Sequence, residues 1–204
     1  MSKSITLPKK IYEGMVVHAK ENFPNEVCGL LCGQSGCVTN ILPAHNISPT
    51  PYSDYQVDPE TLLHALRREE EGDELIAIYH SHPTSAAYPS ATDAAKAYYP
   101  NSIYLILSLQ KMDAPELTGF FLRPELILSG RAATKLLKEI VFSEVRPGLF
   151  SVYLPPPIEA HHFEFLPNTL PKVAFYLIFE DNGLYHTPEV RLISVEPVEV
   201  IIET

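Results

Sequence analysis

From Leu75 to Tyr79 the sequence Leu-Ile-Ala-Ile-Tyr is an unbroken apolar run, and it ends abruptly in His80-Ser81-His82-Pro83. A run of this kind has no polar side to offer solvent, so it predicts a strand buried on both faces. Ile103-Tyr-Leu-Ile-Leu-Ser-Leu is a second run of the same type. Between them, Ser90-Ala-Thr-Asp-Ala-Ala-Lys-Ala-Tyr reads as a helix. The order strand, helix, strand predicts an α/β class with helices covering a sheet.

The first strand also delivers chemistry. His80 and His82 are one residue apart on extended backbone, where side chains alternate with period two, so both point to the same side and can grip one metal ion. Asp93 follows eleven residues after His82, near the start of the Ser90 helix, where its carboxylate can return to the end of the strand. Two imidazoles and a carboxylate suit zinc with one position left for water, the pattern of a catalytic rather than a structural site. Ser90 and Asp93 have a second reading, because Ser-x-x-Asp before an apolar helix is also a capping box. Glu26 opens the run Glu-Val-Cys-Gly-Leu-Leu-Cys-Gly and reads equally as a charge at a strand edge.

The rest of the chain supplies a frame. Pro8 to Asn22 predicts a helix with Ile11, Met15, Val16 and Ala19 along one face and His18 at the surface. Glu26–Gly33 and Cys37–Leu42 predict a hairpin around Gln34-Ser35-Gly36, and Pro43 to Asp54 reads as a surface loop before a short strand at Tyr55-Gln-Val. Asp58 caps a second helix with Pro59 in its first turn and an apolar stripe of Leu62, Leu63 and Leu66, ending at Gly72. Lys111 to Pro115 turns the chain into a strand over 117–122. Ser129 caps a helix over 130–140 with Ala133, Leu136, Leu137 and Ile140 on one side. The proline-rich span from Pro147 to Pro171 reads as a stiff connector. Val173–Glu180 and Tyr185–Val195, joined through Asp181-Asn182-Gly183, read as a hairpin, and Val198–Ile202 as a last strand.

Composition narrows the partners. A formal net charge of -10 argues against nucleic acid or an anionic membrane as the main partner. The first ten residues lack an apolar core followed by a small-residue cleavage site, and no segment approaches ~20 uninterrupted apolar residues, so a cytoplasmic protein is expected. Cys28, Cys32 and Cys37 crowd into one stretch without paired C-x-x-C knuckles, so they read as buried thiols. His161 and His162 are adjacent and on extended chain point opposite ways, which argues against a shared metal.

Taken together, Glu26 before a Cys-Gly-Leu-Leu strand, His80-Ser81-His82-Pro83, Pro89-Ser90 and Asp93 resemble the JAMM (MPN+) zinc metallopeptidases, most closely their compact prokaryotic members. The resemblance covers roughly Ile11 to Leu122. It implies a mixed sheet flanked by helices in the JAMM/MPN (cytidine-deaminase-like) architecture, with a metallopeptidase domain over residues 1–127 and an extension over 128–204. It implies that His80, His82 and Asp93 bind zinc, that Glu26 is the general acid and base, and that Ser90 holds the oxyanion.

The substrate class implied is the amide bond after the C-terminal glycine of ubiquitin-like or sulfur-carrier proteins. An extended tail of that kind is read beside the site by strand addition, with the loop from Ile47 to Tyr55 and the segment from Ser85 to Tyr88 as the groove. Tyr55, Ala87 and Tyr88 are the candidate substrate contacts. The segment around Ala86-Ala87-Tyr88 lacks the Gly-Phe-Gly-Cys-Trp-Leu stretch of eukaryotic deubiquitinating members, and the chain contains no Trp, which points away from ubiquitin chains. The extension is a candidate partner surface or homodimer contact. The alternative from another class is a non-catalytic scaffold of the same fold, but such relatives lose metal ligands and this chain keeps them. A zinc deaminase ranks lower, since its H-x-E and P-C-x-x-C signatures are absent.

Overall fold

The structure, a computed structural model, describes residues 4–156, 173–181, 183 and 187–203. In chain order its elements are β1 (Ser4–Leu7), α1 (Lys9–Glu21), β2 (Cys28–Gln34), β3 (Cys37–Ala44), α2 (Pro59–Glu70), β4 (Glu74–His82), α3 (Ala91–Ala95), β5 (Ile103–Ser108), β6 (Glu116–Ser129), α4 (Gly130–Glu139), β7 (Ser143–Arg146), β8 (Leu149–Leu154), β9 (Ala174–Glu180) and β10 (Glu189–Ile202). They divide into two units: residues 4–88, 101–121 and 197–203 in one, residues 89–100 and the described part of 122–196 in the other.

In the first unit the strand order is β1-β3-β2-β4-β5-β6. β2 runs antiparallel to β3 and β4, β4 is parallel to β5, and β5 is antiparallel to β6, which makes the expected mixed sheet. The two apolar runs are its central strands, and every residue of β5 is buried. Leu31, Ala77, Tyr79, Leu105 and Leu107 form the core with Ile11, Met15 and Ala19 of α1, three residues spaced four apart on one helical face. Each fully buried leucine contributes ~2 kcal/mol of transfer free energy.

Several local expectations are corrected here. His18 is half-buried, with Nδ1 2.9 Å from the Tyr79 hydroxyl; burial lowers its pKa, and Glu21 pulls it back up. On α2 the buried residues are Thr61 and Ala65, whereas Leu63 and Leu66 are 46% and 56% exposed. Asp58 caps the helix as expected, accepting from the Thr61 amide at 2.9 Å and hydroxyl at 2.8 Å and from the His45 amide at 2.9 Å, and small residues rather than leucines face the sheet. Tyr55-Gln-Val is not a strand; an isolated bridge joins Asn46 to Val57. β1 went unforeseen because it is four residues long and pairs in parallel with residues 199–202 of β10.

In the second unit β10, β9, β8 and β7 are successive antiparallel neighbours. Ala133 and Leu136 of α4 pack with Phe175, Leu177 and Leu192 of that sheet. Ser129 sits at the N-cap position of α4 as expected, without a side-chain hydrogen bond. The stretch expected to be a connector contains β8, whose flanking residues Pro147 and Pro155 leave the strand itself free of proline. Residues 157–172, with His161 and His162, lie outside the described residues, as do Asn182 of the expected turn and residues 184–186, where the strand from Tyr185 was expected to begin. β10 is one strand where two were expected. Pro197 does not break it, because it falls where β10 changes partner, from β9 at residues 190–195 to β1 at 199–202, so its missing N–H is needed in neither ladder. α3 ends at Ala95, sooner than the apolar pattern suggests.

Gly29 illustrates how tightly β2 and β4 fit. A Cβ there would lie 2.6 Å from the Leu42 carbonyl oxygen and against the Tyr79 ring. Gly29→Ala is expected to cost about 2–3 kcal/mol, seen as a lower urea midpoint at unchanged slope; a midpoint equal to the wild type's would show that Tyr79 moves aside without cost.

Candidate metal centre

The pairing of β2 with β4 sets the positions of the site. Cys28 lies opposite His80, and the register continues one step beyond β2. The Ser81 amide donates to the Val27 carbonyl at 2.9 Å, and the Ser81 hydroxyl accepts from the Val27 amide, also at 2.9 Å. Glu26 therefore falls opposite His82, in phase with Cys28 and His80. It is buried, 7% exposed. Its backbone is tied on both sides: the amide donates to Pro51 at 2.6 Å and the carbonyl accepts from Asn46 Nδ2 at 2.9 Å.

The three expected ligands come together. One ligand atom from each of His80, His82 and Asp93 lies within 4.8 Å of the others, and all three residues are buried. The Nε2 atoms of His80 and His82 converge to 3.1 Å. Two nitrogens on one tetrahedral zinc at ~2.0–2.1 Å each would be ~3.3 Å apart, so the donor set fits that ion. His82 Nδ1 is 2.7 Å from the Ala86 carbonyl oxygen. A carbonyl only accepts, so that nitrogen carries the proton and Nε2 presents its lone pair, the tautomer a metal ligand needs. The Tyr55 ring stacks on the His80 imidazole, centroids 4.4 Å apart and planes inclined by 19°, which holds the plane of the ligand.

Ser90 and Asp93 form the reciprocal capping box as well. The Asp93 amide donates to Ser90 Oγ at 3.1 Å, and the Ser90 amide to Asp93 Oδ2 at 2.7 Å. A carboxylate has two oxygens and a hydroxyl both accepts and donates, so neither residue has to choose between helix and site. Of the expected substrate contacts, Tyr55 lies against His80, Tyr88 is 37% exposed with its ring edge-on to Phe120, and Ala87 is 6% exposed, its carbonyl accepting from Thr118.

Asn46 is the residue that sequence reading missed. Its Nδ2 donates to the carbonyls of Glu26 and Asp54 at 2.9 and 3.0 Å, and its Oδ1 accepts from the amides of Ser48 and Gln56, both at 3.0 Å. No spacing rule links positions 26 and 46, so no sequence signal marks it. Cys28 shares the face of Glu26, but burial, then Asp58 and Glu26, push its thiol up to about 12, which leaves it protonated and unreactive at neutral pH.

A family model described as prokaryotic homologs of the JAB domain matches residues 8–122. The chain is 38% identical over 126 residues to a desampylase of Haloferax volcanii, covering 58% of this chain and 91% of that protein. It is 34% identical over 113 residues to a CysO-cysteine peptidase of Mycobacterium tuberculosis, covering 54% of this chain and 77% of that one. The solution structure of a Desulfitobacterium hafniense protein matches with a TM-score of 0.52 at 37% identity, covering 57% of this chain and 82% of that chain.

Cys28 and Cys32 are buried and Cys37 is exposed, the last contrary to the expectation of three buried thiols. A brief treatment of the native protein with iodoacetamide near pH 8 is expected to add a single label, at Cys37. Labelling of Cys28 at a comparable rate would mean that its thiol is accessible and ionised.

Proposed function

Because the chain belongs to the family of prokaryotic homologs of the JAB domain, we propose that it hydrolyses the amide bond after the C-terminal glycine of a ubiquitin-like or sulfur-carrier protein, with zinc held by His80, His82 and Asp93. The observation that carries the reading is the convergence of the three ligand atoms at the strand position opposite Glu26. The kinship with a desampylase and a CysO-cysteine peptidase supports the substrate class. When bound, zinc supplies Lewis acidity that lowers the pKa of water from ~15.7 to roughly 7.

Each side chain then has one task. The Glu26 carboxylate takes a proton from the attacking water and returns it to the departing amine. The Ser90 hydroxyl, whose oxygen already accepts from the Asp93 amide, donates its hydrogen to the charge developing on the carbonyl oxygen, a contribution of ~3–4 kcal/mol for one well-placed donor. Tyr88 and the loop from Ile47 to Tyr55 flank an extended glycine tail. The net charge of -10 favours a protein partner over nucleic acid or an anionic membrane. No helix among the described residues is long and apolar enough to cross a membrane.

The test is intact-mass analysis of a small sulfur-carrier protein carrying residues beyond its Gly-Gly, incubated with this protein and zinc. Truncation to the glycine is expected, and Glu26→Gln should slow it by about 10²–10⁴-fold while zinc binding persists. A zinc-loaded wild type that leaves the extended carrier intact would overturn the assignment of substrate, and an active Glu26→Gln would remove Glu26 from the mechanism.

A further inference from the structure

The helix that carries Asp93 is too short to hold itself. α3 has five residues, and isolated helices shorter than ~12–15 residues are marginal in water. Its capping box closes the first turn. Further anchors come from residues 123–191. Tyr176 in β9 donates its hydroxyl to the Pro89 carbonyl, 2.9 Å away and buried. Arg191 in β10 donates from Nη1 to the Ala95 carbonyl at 3.1 Å, and Glu180 holds the guanidinium at 3.4 Å. Arg123 in β6 donates from Nε to the Pro100 carbonyl at 3.1 Å and pairs with Glu196 at 2.7 Å.

Carbonyls before α3, at its last residue and after it are thus each taken by a side chain. The Arg191 charge also suits the negative end of a helix, where carbonyls lack intrahelical partners. Burial, then Tyr153 and Asp93, pushes the Tyr176 hydroxyl up to about 12, so it is a donor at neutral pH. All three donors lie beyond residue 122, where the family match ends.

We propose that Tyr176, Arg191 and Arg123 are positioning residues for Asp93, and that the segment after residue 122 serves as the frame that presents this carboxylate to the metal. The inference rests on the metal-centre reading of His80, His82 and Asp93. It gives the added segment a role in the chemistry without placing any of its side chains on the substrate.

Tyr176→Phe keeps the ring and removes only the donor. Zinc affinity of the full chain, measured by competition with a chromophoric chelator, is expected to fall by about 10–100-fold, as for other groups that orient metal ligands. KM for the extended carrier protein should hold, and kcat should recover as zinc is raised. Val190→Ala, a cavity in the same unit at a residue 1% exposed, controls for lost stability: it should lower the melting temperature and leave zinc affinity intact. Zinc affinity of Tyr176→Phe within twofold of the wild type overturns the inference, as does an equal loss in Val190→Ala. A wild type that binds no zinc removes the metal-centre reading itself, which is a separate outcome.

Discussion

The reciprocal exchange between Val27 and Ser81 is the contact on which the site depends. It carries the β2–β4 ladder one step past the end of β2, with a side-chain hydroxyl serving as acceptor where a backbone carbonyl would otherwise be needed. A one-residue slip in strand pairing sends every side chain to the opposite face. Losing that register would therefore turn Glu26 away from the histidines altogether. Ser81 is fully buried, and an unpaired hydroxyl there would cost ~1–3 kcal/mol, so the same bond both satisfies Ser81 and fixes the register that sets Glu26 opposite His82.

Economy of atoms marks the other half of the centre. Asp93 caps its helix with one oxygen and stands among the ligands through its carboxylate; Ser90 accepts from the helix and keeps a hydrogen to give. Such sharing removes the usual conflict between a stable helix end and a reactive group.

What the sequence makes legible is what is local. His80, His82, Ser90 and Asp93 lie within fourteen residues, and both the alternation of the strand and the capping box can be read there, so the ligand set follows from spacing. Glu26 is different. Its neighbourhood depends on a register set 54 residues away in sequence, and only resemblance to a family connected it with the histidines. The α1 face and the Asp58 cap were readable for the same local reason. The α2 stripe was not, since the helix packs through the small residues Thr61 and Ala65, a choice made by distant strands and not by the leucine spacing. His18 found its partner 61 residues on, and β8 was hidden because prolines on either side of a strand look, in composition, like prolines within it.

Asn46 joins the loop beside the site to the backbone of Glu26 through one amide group. The placement of the loop and that of Glu26 are for that reason inherited as one piece. Grafting the 46–57 loop from a relative would shift Glu26 together with the loop unless position 46 kept its asparagine.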